Sequence, residues 1–339
     1  MKLALVCGGG GFIGGHLVRR LKQQGYYVQA VDLVPARYAP SEAHDYRIAD
    51  LRDARLAREV FRGPEGRAFD EVYQLAADMG GAGYIFTGEN DADIMRNSAA
   101  VNLNCAEAAV ETGAKRLFFS SSACVYPRFN QEDPVSPICS EDSVYPAQPD
   151  SEYGWEKLFA ERLYQAHGRN KDLTIRIGRY HNVFGPEGAW SDGREKAPAA
   201  LCRKVAEAPD GGSIDIWGDG QQTRTFLYID DCLEGTQRLL RSRVTDPVNI
   251  GSDEMVTINE LAAAIISISG KTLSVRHVAG PIGVRGRVSD NRRILDRLGW
   301  VPQVRLVDGL KPTYAWIKDQ VEAAKSDPLT DRSASRVAG

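Results

Sequence analysis

Short apolar runs and longer amphipathic stretches alternate along the first half of the chain. Lys2–Cys7, Tyr27–Asp32, Glu71–Leu75, Lys115–Ser120 and Leu173–Gly178 carry too few polar positions for half-exposed strands, so they predict strands buried on both faces. Between them, Phe12–Gln24, Asp53–Phe61, Asp91–Thr112 and Glu152–His167 repeat their apolar residues at helical spacing. Strands and helices in strict alternation imply right-handed crossovers and a parallel sheet with helices on both faces: an α/β, Rossmann-type doubly wound fold. Beyond Gly178 the pattern loosens into turns such as Phe184-Gly-Pro-Glu-Gly188 and Trp217-Gly-Asp-Gly220, with shorter elements between them. The expected division is therefore a nucleotide-binding domain over residues 1–178 and a smaller C-terminal lobe over 179–324. The chain is expected to return to the first domain around 224–252, and residues 325–339, without periodicity, to form a disordered tail.

The first strand runs into Gly8-Gly-Gly-Gly11-Phe12-Ile13-Gly14, a G-x-x-G-x-x-G turn that opens a helix. Glycines at Gly8, Gly11 and Gly14 let the backbone approach a pyrophosphate, which the helix N-terminus at Phe12 and Ile13 attracts. Asp32 ends the second strand, where a carboxylate accepts hydrogen bonds from the adenosine ribose and repels a 2′-phosphate. NAD is therefore expected rather than NADP. Asp50 and Leu51 are candidates for the adenine edge, with an ordinary turn as the alternative for Asp50.

Further along, Ser120-Ser-Ser122 ends a strand and Ser151-Glu-Tyr153-Gly-Trp-Glu-Lys157 places a phenol and an ammonium on one helix face. A cation so placed favours the phenolate, which predicts a Tyr153 able to act as a base, with Lys157 tuning it and Ser122 bonding the same oxygen. Composition adds exclusions. A net charge of −3 offers no general attraction for nucleic acid. The six scattered cysteines form no C-x-x-C pair, which argues against zinc or a disulfide framework and for a reducing cytoplasm. No apolar run is long enough for a membrane span, and no metal is expected.

Taken together, these motifs are similar to those of the extended short-chain dehydrogenase/reductase family, from about Lys2 to Val321. Ala77-Asp-Met-Gly-Gly81, Ser121-Ser-Ala-Cys-Val-Tyr-Pro127, Gly193-Arg-Glu-Lys-Ala-Pro-Ala-Ala200, Cys202-Arg-Lys204, Gln222-Thr-Arg224 and Val284-Arg-Gly-Arg287 resemble in particular the branch that epimerises GDP-mannose. The resemblance implies a homodimer with tightly held NAD and a redox triad of Ser122, Tyr153 and Lys157. It also implies an epimerising pair, Cys124 and Lys196. A GDP-sugar would be held by Gly80, Gly81, Ser122, Ala123, Cys124, Asn182, Glu195, Lys196, Lys204, Gln222, Arg224 and Arg287. The loop after Gly81 is slightly longer than the family's pattern, beside the expected sugar.

The chemistry is consistent with that expectation. Oxidising C4 of a hexose to a ketone makes the protons on C3 and C5 acidic, so a base on one ring face and an acid on the other can invert those centres. Reduction at C4 then completes the cycle. If the segment after Ser122 is extended, Cys124 projects to the same side as Ser122. A packing role is the alternative for Cys124, as a phosphate contact or solvated lysine is for Lys196, a surface ion pair for any one arginine, and a simple turn for Met79–Gly81. His181 is expected to be structural. A C5-only epimerase, a 4-epimerase and a non-catalytic NAD-sensing protein are the competing readings.

Overall fold

The computed structural model describes residues 1–280 and 283–326. Its centre is a seven-stranded parallel sheet. The chain forms β1 (Leu3–Cys7), β2 (Tyr27–Asp32), β3 (Asp45–Ile48), β4 (Glu71–Gln74), β5 (Arg116–Ser122), β6 (Thr174–Tyr180) and the two-residue β7 (Val183–Phe184). There follow β8 (Ser213–Trp217), β9 (Thr223–Thr225), β10 (Leu227–Tyr228), β11 (Val248–Ile250), β12 (Met255–Thr257), β13 (Ser274–Val278) and β14 (Gly286–Arg287). The main sheet runs β11-β6-β5-β4-β1-β2-β3. Strand order reverses between β1 and β4, and the crevice at their C-terminal ends is where such sheets bind ligands.

Alternation along the strands supplies both faces of the sheet. Leu3, Leu5 and Cys7 of β1 join one buried cluster, while Ala4 and Val6 join the other. The first face is covered by α2 (Ala54–Val60), α4 (Asp91–Glu111) and α5 (Glu152–Asn170), which contribute Ala57, Cys105, Ala160 and Tyr164. The other is covered by α1 (Phe12–Gln23), α7 (Ile229–Arg241) and α9 (Arg292–Leu298) through Leu17, Leu21, Leu233, Leu239 and Ile294. A third cluster joins β8 to α6 (Ala197–Glu207), α8 (Ile258–Ser269) and α10 (Leu306–Ser326), with Val205, Ile214, Leu261, Leu310 and Ile317 at its centre. The short α3 (Ala82–Ile85) lies over the site.

Five predicted strands and four predicted helices coincide with observed ones to within a few residues at their ends. Two strands of the main sheet have no counterpart in the sequence reading. β3 is a short edge strand of sequence Asp-Tyr-Arg-Ile, and β11 is three residues that return to pair with β6 through Val248–Gly178 and Ile250–Tyr180. Neither carries enough apolar pattern to read as a strand by itself. Helix α10 continues through Lys325 to Ser326, two residues into the expected tail; the remainder of that segment, 327–339, lies outside the described residues.

Candidate active site

At the glycine-rich turn, the N–H groups of Gly8 and Gly9 both donate to the Val31 carbonyl, at 2.8 and 3.0 Å, while Gly10 donates to Asp32 Oδ2 at 3.0 Å. A Cβ at Gly14 would stand 2.0 Å from the Gly8 carbonyl oxygen, and one at Gly10 would stand 2.2 Å from the Tyr46 hydroxyl. Only glycines allow this closeness of helix, turn and neighbouring strand. Gly11 caps α1 without a side-chain hydrogen bond, and no acidic residue occupies the first turn. The helix N-terminus thus presents Phe12, Ile13 and Gly14 to an anion. Asp32 keeps lone pairs for a ribose while its oxygens also accept Gly10 and Leu33 N–H groups. These features fit a dinucleotide. Asp50, by contrast, is occupied: Arg52 grips it through Nε and Nη2 at 2.9 and 2.7 Å, and that hydrogen bonding holds its carboxyl below the usual range. The Leu51 side chain is core, leaving only its backbone for a ligand.

The candidate redox residues Ser122, Tyr153 and Lys157 come from β5 and α5. Ser122 is the last residue of β5, and Ser151 caps α5, its hydroxyl accepting from Gly154 N at 3.3 Å. That cap places Tyr153 in the first turn, where the Ser122 hydroxyl partly lowers its phenol. Lys157, one turn on, is fully buried; its ammonium donates to the Ser120 carbonyl at 3.0 Å and stands 5.7 Å from the Tyr153 ring centroid. Here the structure corrects an expectation. The Tyr153 phenol is pushed up from its ordinary value, by burial first and then by the charge of Cys124; Ser122 and Arg287 oppose this only in part. Burial likewise lowers the Lys157 ammonium against the pull of Glu156. With its lysine turned to a carbonyl, the buried phenol holds its proton more firmly until more positive charge faces it.

A second correction concerns how Cys124 reaches the site. Residues Ala123–Val125 form a 3₁₀ turn rather than extended chain, with the Ser122 hydroxyl accepting from Cys124 N at 3.2 Å. The turn, not strand alternation, packs Cys124 against Tyr153, Ile85 and Ile94. Arg287 donates from Nη1 to the Cys124 sulfur at 3.3 Å, from Nη2 to Asp150 at 3.0 Å and from Nε to Gln131 at 2.5 Å. Burial alone would lower this guanidinium, but the charges of Cys124 and Asp150 outweigh it. Gln131 and Asp150 had no signal in the sequence. They act here through a partner 156 and 137 residues away.

Lys196 is the N-cap residue of α6, half-buried, and its side chain makes no hydrogen bond or ion pair among the described residues. Burial lowers its ammonium, while Cys124 raises it and Arg287 lowers it, so the three share one electrostatic neighbourhood. Arg224 stands beside Arg287 in the β9–β14 pairing and is lowered to about 9, by burial and then by Arg287. Its guanidinium donates to the Thr223 and Val284 carbonyls at 2.7 and 2.6 Å. Glu195 bonds Arg203 at 3.0 Å through one carboxylate oxygen, and the other is buried without a partner; Gln222 Oε1 is left the same way. Such unpartnered oxygens suit a polar ligand.

Other candidates stand further off or are engaged. Lys204 donates to the Asp215 carbonyl at 2.7 Å beside Trp217. Asn182, at φ +42°, donates to the Thr225 carbonyl at 2.9 Å. Ala123 packs with Val125, Tyr126 and Leu158. At Gly80 and Gly81 the close approach is to protein: an added Cβ would lie 2.7 Å from Tyr84 Cβ and 2.2 Å from the Glu195 carbonyl oxygen. His181 is buried, shares a hydrogen bond with Asn249 at 3.0 Å, and burial lowers it to about 3, so it stays neutral.

A doubly wound sheet with a dinucleotide crevice and a Ser-Tyr-Lys constellation is the framework of a nicotinamide-dependent sugar-modifying enzyme. Residues 4–251 match the profile of the NAD dependent epimerase/dehydratase family, and the chain belongs to that family, with NAD as cofactor. It is 44% identical over 338 residues to GDP-mannose 3,5-epimerase of Arabidopsis thaliana, covering 98% of this chain and 87% of that one. It is 45% identical over 324 residues to GDP-mannose 3,5-epimerase 1 of Oryza sativa subsp. japonica, covering 95% and 83%. In three dimensions it resembles UDP-glucose 4-epimerase of Thermotoga maritima, solved with UDP-glucose, at a TM-score of 0.82 and 25% identity over 94% of this chain and 100% of that one.

Proposed function

We propose that the protein is a GDP-mannose 3,5-epimerase that inverts C5 and C3 through a C4 ketone, giving GDP-L-galactose, GDP-L-gulose or both. The observation that carries this reading is Cys124, packed against Tyr153 just after Ser122 with Arg287 donating to its sulfur, while Lys196 at the start of α6 shares its electrostatic neighbourhood. A 4-epimerase has work for the serine, tyrosine and lysine of the triad but none for Cys124 and Lys196.

Tyr153 takes the C4 hydroxyl proton, and Ser122 bonds the same oxygen. Bound NAD⁺ supplies the hydride acceptor, and its reduced form the donor for the return step. Once the ketone exists, Cys124 removes the proton from the neighbouring carbon, its sulfur held in place by the Arg287 guanidinium at 3.3 Å. Lys196 delivers a proton from the other ring face, and lowering by burial makes it a readier donor. Ser122 stabilises the enolate oxygen between the two steps. The diphosphate and guanosine fall to Lys204, Gln222 and Arg224, with Asn182, Glu195, Gly80 and Gly81 along the sugar. Asp50 is left to hold Arg52 beside the adenine rather than to meet the base itself.

The working unit is a cytoplasmic homodimer. Leu103 on α4 and Trp155 and Phe159 on α5 are 44, 40 and 46% exposed. These two helices pack side by side, and such apolar side chains on adjacent helices suit a second copy's matching pair. The test of the activity is incubation with GDP-mannose in D₂O, followed by NMR. Deuterium at C5 and C3 with inverted products is expected. Deuterium at C5 alone would make it a C5-only epimerase, and C4 inversion without deuterium would overturn the reading.

A further inference from the structure

The side chain of the proposed acid, Lys196, makes no hydrogen bond or ion pair among the described residues, so the loop before α6 decides where it points. That loop, with residues 191–194 exposed, meets the segment after β4. The Arg194 guanidinium lies over the Tyr84 ring, 4.3 Å from its centroid, with Nη1 3.9 Å from Asp78 Oδ1. Tyr84 is itself fixed, its hydroxyl donating to Asp78 Oδ1 at 2.9 Å. Asp78 is fixed in turn: Asn97 donates to its Oδ2 at 2.9 Å, and its backbone N–H donates to the Ser98 hydroxyl at 3.1 Å. One residue beyond Arg194, the Glu195 carbonyl rests where a Cβ of Gly81 would be, so the two segments touch along their backbones.

We propose that Asp78, Tyr84 and Arg194 are positioning residues for Lys196: the aspartate orients the phenol ring, the ring holds the guanidinium, and the anchored loop aims the lysine into the site. The inference rests on the proposed acid role of Lys196. A guanidinium on an aromatic face with a carboxylate behind it is held by two attractions at once. Burial and the Asp78 hydrogen bond both push the Tyr84 phenol up, so it remains a donor to that carboxylate. From α6, Arg203 bonds the Trp190 carbonyl and Glu195, each at 3.0 Å. These contacts pin both ends of the loop; between them Asp192 accepts from the Arg194 N–H at 3.1 Å and lies 3.7 Å from Arg37, and the Arg194 side chain rests on Tyr84. The chain of bonds also runs outward, because Arg52 donates to Asn97 Oδ1 at 2.9 Å while holding Asp50 at the crevice mouth.

Two measurements on the NAD-loaded protein test this. Arg194→Met changes a side chain 45% exposed and leaves the core untouched. It should lower kcat for GDP-mannose inversion about fivefold, on the scale of one lost cation–π contact, with KM within about twofold. Tyr84→Phe, which keeps the ring, should retain more activity than Arg194→Met. The second measurement is trypsin cleavage after Lys196, which reports loop opening whatever the substrate. It should quicken several-fold in both Arg194→Met and Tyr84→Ala at unchanged thermal midpoint. Unchanged cleavage in Arg194→Met overturns the proposal, and so does faster cleavage with kcat intact. Should the wild-type protein not turn over GDP-mannose at all, the epimerase reading fails, and the cleavage rates still decide whether the clasp exists.

Discussion

Cys124 is the residue on which two roles can be separated. Cys124→Ser keeps the size of the side chain, but a hydroxyl ionises far less readily than a thiol. The variant should still transfer hydride at C4 while deuterium exchange at the neighbouring carbons falls by at least about 100-fold; equal exchange rates in D₂O by NMR would remove Cys124 from the mechanism. Tyr153→Phe should abolish turnover with NAD still bound, as read by cofactor fluorescence and product NMR. His181 offers a pH test of stability. Its folded value, about 3, lies below the ordinary 6.5. The unfolded chain therefore takes up the proton first, and stability is lost as pH falls from about 6.5 toward 3, at about 1.4 kcal/mol per pH unit. His181→Gln should show a shallower loss between pH 6.5 and 4 in urea titrations; parallel curves would mean that His181 is not buried neutral.

Among the elements, the turn from β1 into α1 carries the tightest constraint. Gly14→Ala places a methyl 2.0 Å from one backbone oxygen and 2.8 Å from a backbone carbon, and neither can rotate away. The helix must move off the sheet, at a cost of about 1–3 kcal/mol, and NAD affinity should fall with it. Calorimetry of NAD binding checks this. In the same crevice, Asp32→Ala should weaken NAD and relax the discrimination against NADP, measured as the ratio of the two dissociation constants. The elements also show what local pattern conveys. β1, β2, β4, β5 and β6 read clearly because they are buried on both faces and so nearly continuous in apolar residues. β3 and β11 did not: one is an edge strand with two charged side chains among four residues, and the other is only three residues long. The 3₁₀ turn at Cys124 was equally hidden, since the Ser122 cap that shapes it looks like one more strand residue.

Across the whole molecule, buried charge joins segments far apart in the chain. Arg287 of β14 crosses to Asp150, just ahead of α5, with both side chains almost fully buried at 6 and 5% exposure. Asp150→Ala leaves that guanidinium without its carboxylate and should cost about 3–5 kcal/mol. Urea unfolding should detect the loss, and the arginine's hold on the Cys124 sulfur should loosen with it. A loss below about 1 kcal/mol would mean that water replaces the carboxylate readily.

Local order in the chain was enough for the doubly wound fold and for the positions of the glycine turn, Asp32, Ser122, Tyr153 and Lys157, because each rests on spacing within one element or on one strand leading into the next helix. The Arg287 contact with Cys124 spans 163 residues, and Lys196 shares its electrostatic neighbourhood from another loop. Such pairings follow from how the second half of the chain folds back over the sheet, and no periodicity records them. The protonation of Tyr153 was decided at the same level. Helical spacing put Lys157 within reach, but burial and the Ser120 carbonyl determined what the lysine does there.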